Sequence, residues 1–478
     1  MSENPPQKTV VMKFGGSSVG TPQAMLGAID IIHQTQAEWP RVVVVVSALS
    51  GVTNLLLDGA SQAALGNTDR LPETVEKLRS LHYAIIDELI EDLRAQAKAD
   101  IDFLIDEFAN LCHAISILGE ATPRALDAVA SLGERMSVRL LAPALCNTGT
   151  LAEYVETQHC IVTDNRFQNA HPDFAATTLK VRELILPILE AGKIPVVTGF
   201  IGATPDGIIT TLGRDGSDFS AAIVGAVLPA SEVWIWTDVN GVMSADPRVV
   251  PEARTIPTLS YRELSELVYF GGKKPHPKAI RPVVDAGVGL RICNTFNPSH
   301  PGTRLLIEKT AAGKKNGNEV LKAVSLIRSQ RLVTVEGRGM LGVPGVAART
   351  FAAVASTGTS VPLITQASSE QSICFSVPAN VADGVIDALK KIFATELADH
   401  DIDRIWATDE VAIVTVVGEG MRETPGVAGR VFAALGESQL NVIAIAQGSS
   451  EVSISLVVAS ADAEASLKAI HQMIISQK

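Results

Sequence analysis

A lysine followed closely by small residues stands near the start of the chain, in the sequence Val-Val-Met-Lys-Phe-Gly-Gly-Ser-Ser over residues 10–18. The apolar run predicts a buried strand, with Lys13 near its end. Gly15 and Gly16 then allow backbone N–H groups to approach a ligand closely. A cation beside such N–H groups is suited to binding phosphate. The order differs from the P-loop, in which the lysine follows the glycines, and an ordinary turn is the alternative interpretation.

Four further segments carry residues suited to the same chemistry. Hydroxyl residues and a glycine at 47–53 follow a run of five valines, at the strand end where open α/β sheets bind ligands. Glu134 and Arg135 are neighbours in helical sequence, and their simplest interpretation is a surface charge pair. The densest motif, Thr-Leu-Gly-Arg-Asp-Gly-Ser-Asp at 211–218, puts glycine, cation, hydroxyl and carboxylate before a helix. Residues 236–248 add acids and an arginine after another strand, with loop capping by the acids as the alternative.

Together these residue types meet the needs of phosphoryl transfer, which depends on positioning and charge stabilisation more than on covalent help from the protein. Lys13 would neutralise charge on the transferring phosphoryl group, and glycine amides would bind the other phosphates. Asp218 would orient Lys13 or accept a contact from the nucleophile. Arg214 would hold a substrate carboxylate, ideally in a bidentate pair.

The elements that must position these residues alternate along the first 300 residues. Apolar β-rich runs at 42–46, 194–198 and 233–236 predict buried strands, and helical patterns such as 217–227 lie between them. This alternation predicts an α/β domain with a mainly parallel sheet and helices on both faces. Residues 71–118 interrupt it with charged, Leu/Ile-periodic sequence, which predicts a helical insertion.

Composition excludes several classes of protein. The chain of 478 residues is 46% hydrophobic, enough for large cores in about three domains. Its net charge of −12 and aromatic content of 4% argue against a nucleic-acid partner. The five cysteines are scattered without metal-ligand spacing, which predicts free thiols and no metal site. The sequence has neither a bilayer-spanning run nor the apolar segment of a signal peptide, so we expect a cytoplasmic protein without a membrane partner.

The C-terminal region differs in kind from the rest of the chain. A polar, glycine-bearing stretch predicts a linker at 309–320, between a first domain at 1–308 and a second region at 321–478. That region contains an internal repeat: the sequence Val-Thr-Val-x-Gly-x-Gly-Met begins at Val333 and again, 81 residues later, at Val414. Each unit predicts the order strand, Gly-rich turn, helix, strand, tight turn, strand and helix.

The two repeat units, at about 325–400 and 406–478, are predicted to interleave. A strand-like segment at 403–408 follows the second helix of the first unit, whereas the second unit has no such segment before Lys478. The equivalent segment, 322–327, lies ahead of the first unit. We therefore expect the second unit to borrow this strand.

A glycine pattern in the first repeat unit admits two interpretations. Gly-Arg-Gly-Met-Leu-Gly at 337–342 fits a dinucleotide-binding fingerprint. The repeat, however, has Glu423 at the third glycine, and the next strands end in Gln366 and Gln447 instead of an acid that would hold a ribose. A turn that receives a small polar ligand is therefore the favoured interpretation.

In order and spacing these motifs resemble those of the aspartokinases, and the resemblance covers essentially the whole chain. It rests on the segments Lys-Phe-Gly-Gly-Ser-Ser, Val-Ser-Ala-Leu-Ser-Gly-Val-Thr-Asn, Ser-Leu-Gly-Glu-Arg-Met-Ser, Leu-Gly-Arg-Asp-Gly-Ser-Asp, Trp-Thr-Asp-Val-Asn-Gly and Ala-Asp-Pro-Arg. The duplicated C-terminal unit resembles that family's paired ACT regulatory domains. The resemblance implies the three-layer amino-acid-kinase fold and two interleaved α+β ACT domains. It also implies transfer of the γ-phosphoryl group of MgATP to the β-carboxylate of L-aspartate, the entry step to lysine, threonine and methionine.

The resemblance further implies roles for individual residues. Lys13 and Asp218 would be catalytic, Glu134 would bind the ammonium group of aspartate, and Arg214 would bind its α-carboxylate. The residues expected to bind the substrate are Ser47, Thr53, Glu134, Arg214 and Ser217. Those expected to bind the nucleotide are Lys13, Gly15, Gly16, Ser17, Thr237, Asp238, Met243, Arg248 and Lys273. Mg²⁺ is expected to arrive with ATP, because the sequence offers no metal cage of its own.

The sequence departs from the family pattern at three places. Asp215 stands where the family has glycine or asparagine, and its negative charge beside Arg214 is expected to weaken aspartate binding. Met243 stands where an aromatic residue often lies beside the nucleotide. Phe-Gly-Gly-Lys-Lys-Pro-His-Pro at 270–277 replaces the usual Phe-Gly-Ala-Lys-Val-Leu-His-Pro, which leaves the pose of Lys273 open.

The regulatory half is similar to that of the threonine-sensitive aspartokinases fused to homoserine dehydrogenase. In that family two repeat-related glutamines contact threonine, which implies Gln366 and Gln447 as effector-binding residues, with Asn441 as a third. Lysine-sensing relatives have an acid where this chain has Pro362, so threonine is the favoured effector and lysine the alternative.

Further expectations concern assembly and competing functions. Without a dehydrogenase half the chain is expected to be monofunctional, in a homodimer or higher oligomer formed through the ACT domains. One competing hypothesis is a kinase that acts on another carboxylate or a carbamate, and Glu134 with Arg214 argues against it. Another is an inactive amino-acid sensor, against which Lys13, Asp218 and the glycines argue.

Overall fold

The computed structural model describes residues 8–269, 277–306, 320–340, 343–366, 371–448 and 452–476. By its internal contacts the chain divides into two compact units. The first comprises Met1–Val242, Pro257–Leu259 and Lys274–Glu308, and the second Met243–Ile256, Ser260–Lys273 and Lys309–Lys478. Lys273 and most of the predicted linker at 309–320 lie outside the described residues.

Strands and helices alternate along the first unit. Its strands are β1 (Thr9–Phe14), β2 (Arg41–Val46), β3 (Ala152–Val155), β4 (Ile194–Thr198), β5 (Ile201–Ala203), β6 (Ile209–Thr211), β7 (Glu232–Thr237), β8 (Thr258–Ser260), β9 (Gly289–Asn294) and β10 (Thr303–Leu306). Its helices are α1 (Gly16–Val19), α2 (Pro22–Glu38), α3 (Val52–Ala64), α4 (Leu71–Leu89), α5 (Arg94–Leu118), α6 (Pro123–Asn147), α7 (Phe174–Glu190), α8 (Gly216–Val227) and, after α9 of the second unit (Tyr261–Tyr269), α10 (Pro277–Asp285).

The main sheet of the first unit has the order β3-β4-β2-β1-β7-β9-β10-β8. Its strands from β3 to β9 run parallel, and β10 is antiparallel to β9. Strand β1 is buried on both faces: Val10 and Met12 join the core built with α2 to α6, while α8 packs across the other face. Burial on both faces is typical of a sheet covered by two helical layers. The predicted mainly parallel α/β domain is confirmed.

The range 71–118, which the sequence sets apart from the alternation, is covered by α4 and α5. Their apolar stripes, which include Leu78, Ile85, Ile105 and Phe108, are buried in the core of the first unit. Charged residues occupy the opposite faces, as expected for amphipathic surface helices.

The second unit is built on an antiparallel sheet. Its strands are β11 (Ala323–Glu336), β12 (Ile364–Gln366), β13 (Ser372–Pro378), β14 (Arg404–Ala407), β15 (Val411–Val417), β16 (Ala444–Ala446) and β17 (Ser453–Ala459). Besides α9, its helices are α11 (Val346–Ser356), α12 (Ala382–Ile392), α13 (Ala394–Ala398), α14 (Val427–Glu437) and α15 (Ala463–Ile475). The sheet order is β12-β13-β11-β15-β17-β16, and β14 pairs with β11.

Strand β11 belongs to the sheets of both repeat units. Its first part, residues 323–327, pairs with β15, and its second part, 330–336, pairs with β13. A register shift between Ile327 and Gln330 separates the two parts. In the first repeat unit, β14 pairs with the second part of β11. The first part of β11 lies 81 residues before β14, one repeat length, and it pairs with β15 of the second unit. The second unit therefore uses a strand that precedes the first unit in the sequence. The predicted interleaving of two α+β units is therefore observed as strand pairing.

Two segments that the sequence places in the first domain group with the second unit. Ala245 and Val250 are buried among Val324, Val416 and other apolar residues of the second unit. Glu263 of α9 is likewise buried in that unit. The predicted domain boundaries, 1–308 and 321–478, stay a prediction. They differ from the two compact units in the segments 243–256 and 260–273, which the prediction assigns to the first domain.

All five cysteines are free, as the sequence predicts. Burial raises the pKa of the Cys112 thiol to about 11 and those of Cys160 and Cys293 to about 12, so these thiols stay protonated at neutral pH. In the described ranges, no group of three or more His, Cys, Asp or Glu side chains is arranged to hold a metal ion. None of the helices in those ranges combines the length and the apolar character needed to span a bilayer.

Candidate active site

A buried ion pair lies at the carboxyl end of β1. Lys13 is 4% exposed and Asp218, in the first turn of α8, is 1% exposed. The Lys13 Nζ lies 2.5 Å from Asp218 Oδ1, and within the described residues the Asp218 carboxylate accepts no further hydrogen bond. Two dehydrated charges are tolerated together because each is the other's counter-ion. The pair therefore holds the lysine ammonium group at a defined position near the strand end.

Glu134 is a buried carboxylate with an oxygen that lacks a partner. It lies on α6, 3% exposed, and its Oε2 has no hydrogen-bond partner in the described part of the chain. Burial raises the pKa of Glu134 to about 8, against the smaller lowering effects of the Ala48 N–H and the Lys13 charge. A carboxylate in this situation gains most from a cationic ligand, since a positive charge would offset its dehydration.

The seven residues that the sequence assigns to catalysis and substrate binding line a single cavity of about 440 Å³ in the first unit. They are Lys13, Ser47, Thr53, Glu134, Arg214, Ser217 and Asp218. They come from four different parts of the chain. Lys13 and the segment 47–53 lie at the carboxyl ends of the neighbouring parallel strands β1 and β2, Glu134 lies on α6, and the segment 214–218 follows β6.

The turns after β1 and β2 approach each other closely at this edge. The Ser47 N–H donates to the carbonyl oxygen of Phe14 over 3.1 Å. A Cβ atom on Gly16 would lie 2.7 Å from the carbonyl oxygen of Ala48. Only glycine therefore fits at position 16, and the contact brings the hydroxyl residues after β2 beside Lys13.

Arg214 and Asp215 form the rim of the cavity. The Arg214 side chain is 82% exposed, and its Nε lies 4.0 Å from Asp215 Oδ2. Asp215 precedes α8 and has a left-handed backbone, with φ of 54°. Glycine and asparagine adopt this conformation more readily than other residues, which gives a physical reason for the family pattern at this position.

Arg135, next to Glu134 in sequence, has a different environment. Its guanidinium group donates to Glu107 over 3.0 Å and to Glu156 over 3.2 Å, and Arg139 also binds Glu156. Glu134 and Arg135 are thus both buried, and each has its own surroundings. The simplest interpretation from sequence, a surface charge pair, is wrong because α5 and the end of β3 cover this part of α6.

Among the cavity-lining residues that no sequence motif identified are Asp127, Gln168 and Phe200, whereas Thr211 opens the 211–218 motif but had no role assigned to it. Burial raises the pKa of Asp127, and hydrogen bonds from Gln168 and Thr211 partly offset this. Asp127 stands seven residues before Glu134, a spacing that puts both on one face of a helix. That spacing was the available signal, whereas nothing local marks Gln168.

The residues assigned to the nucleotide divide between the two units. In the first, Gly15 donates its N–H to the Trp236 carbonyl oxygen over 3.3 Å, and the Thr237 hydroxyl donates to Asp238 over 3.1 Å. Both contacts lie at the carboxyl ends of the neighbouring strands β1 and β7. Ser17 is exposed.

The other nucleotide candidates lie in the second unit. The Thr255 hydroxyl lies 3.6 Å from the Met243 sulfur. The Arg248 guanidinium group makes a two-pronged contact with Asp246, with Nε 3.0 Å from Oδ1 and a terminal nitrogen 2.5 Å from Oδ2. Lys273 lies outside the described residues.

A cavity of about 890 Å³ in the second unit includes Gln366 in its wall. Its charged side chains carry both signs: Arg404 donates to Glu336 over 2.8 Å, and this bond holds the pKa of Glu336 below its usual value. Such a wall suits a small zwitterion. The other two residues assigned to the effector, Asn441 and Gln447, are exposed and do not line this cavity.

Gly337, the first glycine of the 337–342 pattern, is required for close packing. A Cβ atom on Gly337 would lie 2.3 Å from the carbonyl oxygen of Asp401. This close backbone contact gives a packing reason for the glycine that does not require a dinucleotide.

Comparison with known proteins identifies relatives along the whole chain. Residues 8–294 match the amino acid kinase family, and residues 333–393 and 414–474 each match the ACT domain. The chloroplastic bifunctional aspartokinase/homoserine dehydrogenase 2 of Arabidopsis thaliana is 37% identical over 463 residues, which are 96% of this chain and 50% of that protein. The aspartokinase of Schizosaccharomyces pombe is 30% identical over 508 residues, 99% of this chain and 94% of that protein. The chain thus spans about half the length of the bifunctional relatives.

Solved structures show the same likeness. The structure of E. coli aspartokinase III in complex with aspartate and ADP, in the R-state, has a TM-score of 0.80 at 29% identity, covering 98% of this chain and 100% of that chain. The structure of that enzyme with lysine and aspartate, in the T-state, has a TM-score of 0.77 at 30% identity, covering 98% and 99%.

Proposed function

Because the chain belongs to the aspartokinase family within the amino acid kinases, we propose that it transfers the γ-phosphoryl group of ATP to the β-carboxylate of L-aspartate. The product, 4-phospho-L-aspartate, opens the route to lysine, threonine and methionine. The observation that carries this proposal is the cavity that the Lys13–Asp218 ion pair shares with the Glu134 carboxylate, whose Oε2 has no hydrogen-bond partner among the described residues. The related enzyme that binds aspartate and ADP supports it.

Some residues of the cavity bind the substrate, and others stabilise charge during the transfer. Glu134 binds the ammonium group of aspartate, Arg214 pairs with its α-carboxylate, and the hydroxyl groups of Ser47, Thr53 and Ser217 complete the contacts. The β-carboxylate then points toward Lys13. Holding both reactants in line lowers the barrier by making the reaction effectively intramolecular.

Lys13 stabilises the negative charge of the phosphoryl group as it passes from ATP to the carboxylate oxygen. Asp218 fixes the position of the lysine ammonium group through the buried ion pair. Because the pair is buried and already in place, no reorganisation of the lysine is needed during the transfer.

Nucleotide binding is assigned to Gly15, Gly16, Ser17, Thr237 and Asp238 of the first unit. Met243, Arg248 and Lys273 complete the assigned set. Mg²⁺, bound to the phosphates, supplies additional charge neutralisation.

The direct test is to trap the acyl phosphate with hydroxylamine in the presence of MgATP and aspartate. We expect aspartyl hydroxamate to form at a rate that saturates with aspartate. Activity only with another carboxylate or with a carbamate would favour the competing kinase hypothesis. No product from any acid, together with binding of an amino acid, would favour an inactive sensor.

The Asp215→Gly variant is expected to have a KM for aspartate that is lower by roughly three- to tenfold, because a negative charge close to Arg214 is removed. Steady-state hydroxamate assays at low ionic strength provide the measurement. Asp215→Asn is the matched control, since asparagine tolerates the left-handed backbone and also removes the charge. Equal KM values in all three proteins would contradict the assigned role of Arg214.

The proposed regulation is feedback inhibition by an end-product amino acid, with threonine favoured and lysine as the alternative. The mixed charges around Gln366 suit a zwitterionic ligand. The related enzyme in complex with lysine supports an amino-acid effector of some kind. A homodimer or higher oligomer through the ACT domains goes with this proposal and can be measured by analytical ultracentrifugation.

Gln366→Ala is expected to raise the threonine concentration for half inhibition by roughly five- to twentyfold, since a side-chain amide contact to a charged ligand is lost. Inhibition curves with threonine and with lysine measure this shift, and Gln371→Ala, in the same cavity wall, is the matched comparison. Inhibition by lysine alone would exclude threonine as the effector.

A further inference from the structure

Asp127 is a heavily hydrogen-bonded carboxylate in the wall of the catalytic cavity. It lies on α6 and is 1% exposed. The Gln168 N–H lies 2.9 and 3.1 Å from its two oxygens, the Thr211 N–H donates over 3.0 Å, and the Thr211 hydroxyl donates over 2.7 Å. The carboxylate is thus occupied by three donors from two other chain segments. Such a group is suited to holding those segments in place.

The first of the two segments contains a residue in an unusual conformation. Gln168 has φ of 66°, a left-handed backbone that non-glycine residues seldom adopt. Its side chain lines the cavity. Conformations of this kind persist where the surrounding contacts hold them, and they concentrate at functional sites. The hydrogen bonds from Gln168 to Asp127 are contacts of that kind.

The second segment leads directly to the rim of the cavity. Thr211 ends β6, and Arg214 follows three residues later. The Ala170 N–H donates to the Thr211 carbonyl oxygen over 2.9 Å, so the loop with Gln168 and the end of β6 are also bonded to each other. Through its hydrogen bonds, Asp127 therefore connects helix α6 to the loop with Gln168 and to the end of β6, which leads to Arg214.

Helix α6 also carries Glu134, about two turns beyond Asp127 on the same face. Helix α6 thus carries both Glu134, which is assigned to the substrate ammonium group, and Asp127, which holds the turn with Arg214. Arg214 is assigned to the α-carboxylate of the substrate. The bonds that Asp127 accepts thus connect the chain segment that leads to Arg214 with the helix that carries Glu134.

We propose that Asp127 is a positioning residue that fixes the Arg214 turn relative to Glu134 and Lys13, and so selects the length of the dicarboxylic amino acid that can be phosphorylated. This inference rests on the proposed function. A substrate one methylene longer than aspartate would bring its terminal carboxylate to a different place relative to Lys13. Discrimination between aspartate and glutamate is therefore the property that Asp127 controls.

The experiment compares the full-length wild type with Asp127→Asn in hydroxamate assays with aspartate, glutamate and ATP as varied substrates. Asparagine keeps one acceptor oxygen but removes the charge and the second acceptor. We expect the KM for aspartate to rise roughly tenfold, with the KM for ATP changed less than about twofold and the aspartate-to-glutamate ratio of kcat/KM reduced. If Asp127 had a purely structural role, the substitution would lower the fraction of active enzyme, and kcat/KM would fall by the same factor with aspartate and with glutamate.

Asp164→Asn is the matched control. Asp164 belongs to the same loop and accepts the N–H groups of Arg166 and His171 over 3.2 and 3.0 Å, but it does not line the cavity. We expect this variant to keep the KM for aspartate and the substrate ratio of the wild type. An equal change in both variants would mean that loop stability alone is responsible, and it would overturn the inference.

Two further outcomes are decisive. An active wild type together with an Asp127→Asn variant of unchanged KM and substrate ratio would overturn the inference and leave the proposed function intact. A folded wild type that forms no product from aspartate would instead contradict the proposed function itself.

If Asp127→Asn does not fold, as judged by thermal unfolding, Thr211→Val removes one of the same hydrogen bonds. It is expected to change the aspartate KM and the substrate ratio in the same direction, and no change would overturn the inference.

Discussion

Replacing Lys13 by methionine is expected to lower kcat for aspartyl phosphate formation by about a thousandfold or more. A preorganised cation that stabilises a transferring phosphoryl group typically contributes effects of this size. Because Lys13 is buried and paired with Asp218 at 2.5 Å, water cannot take over its role. The single-turnover rate of hydroxamate formation at saturating substrates is the measurement.

Stability must be separated from catalysis in this variant, since Lys13→Met leaves Asp218 buried without its counter-ion, which costs about 3–5 kcal/mol. The double variant Lys13→Met/Asp218→Asn removes both charges and is expected to fold better but to remain inactive. Lys322→Met is the matched control: Lys322 pairs with buried Glu263 over 2.6 Å in the second unit, and its loss is expected to lower stability while turnover continues. Effector binding should survive in Lys13→Met. More than a tenth of wild-type kcat in this variant would contradict the role of Lys13.

Replacing Glu134 by glutamine is expected to raise the KM for aspartate by roughly thirty- to a hundredfold, because a charge-assisted contact with the ammonium group is lost. The same substitution is expected to stabilise the protein at alkaline pH. Both effects follow from the dehydration of one carboxylate, which raises its pKa to about 8.

The sign of the stability effect follows from proton linkage. In the unfolded chain Glu134 titrates near 4.5, whereas in the folded protein it titrates near 8. Between these values the folded state holds one more proton, so this group's contribution to stability is complete below about pH 4.5 and is lost as the pH rises toward 8. The loss is about 1.4 kcal/mol per pH unit within this window. Glutamine has no titratable proton to lose and so acquires no buried charge as the pH rises, and the variant escapes the penalty.

Urea unfolding of the wild type and Glu134→Gln at pH 5, 6.5 and 8 measures this difference. We expect nearly equal stability at pH 5 and a growing advantage of the variant toward pH 8. Glu156→Gln is the matched comparison, because Glu156 is buried but ion-paired with Arg135 and Arg139; its loss is expected to destabilise the protein throughout this range. A Glu134→Gln variant less stable than the wild type at pH 8 would contradict the assignment of Glu134 as a dehydrated carboxylate without an ion-pair partner in the described residues.

Residues at strand ends could be assigned from the sequence for a definite reason. Runs such as 42–46 identify buried strands by composition, and parallel strands present their carboxyl ends at one edge. Lys13, Ser47 and Thr53 are near or beyond such ends, and Asp218 follows a glycine turn into a helix. Knowledge of the complete fold was not needed to bring these residues together.

Asp127, Gln168 and the partners of Arg135 could not be assigned in this way. Asp127 lies inside a helix, and its importance comes from Thr211, which is 84 residues away in the sequence. Glu134 and Arg135 look like a surface pair until α5 covers one of them and the cavity borders the other. Side chains of this kind acquire their roles from neighbours that no local pattern specifies.

Periodicity, repeat offset and the residue types at turns depend only on positions along the chain. For this protein they were therefore sufficient to predict the alternating α/β architecture and the borrowed strand at 322–327, and to suggest phosphoryl transfer as the chemistry of the site. Burial and hydrogen bonding depend on which remote segments meet, and only the tertiary structure decided these. Contacts between remote segments account for the elevated pKa of Glu134, the three hydrogen-bond donors around Asp127 and the grouping of 243–256 with the second unit. Burial and dehydration are properties of the packed structure and not of any single stretch of sequence.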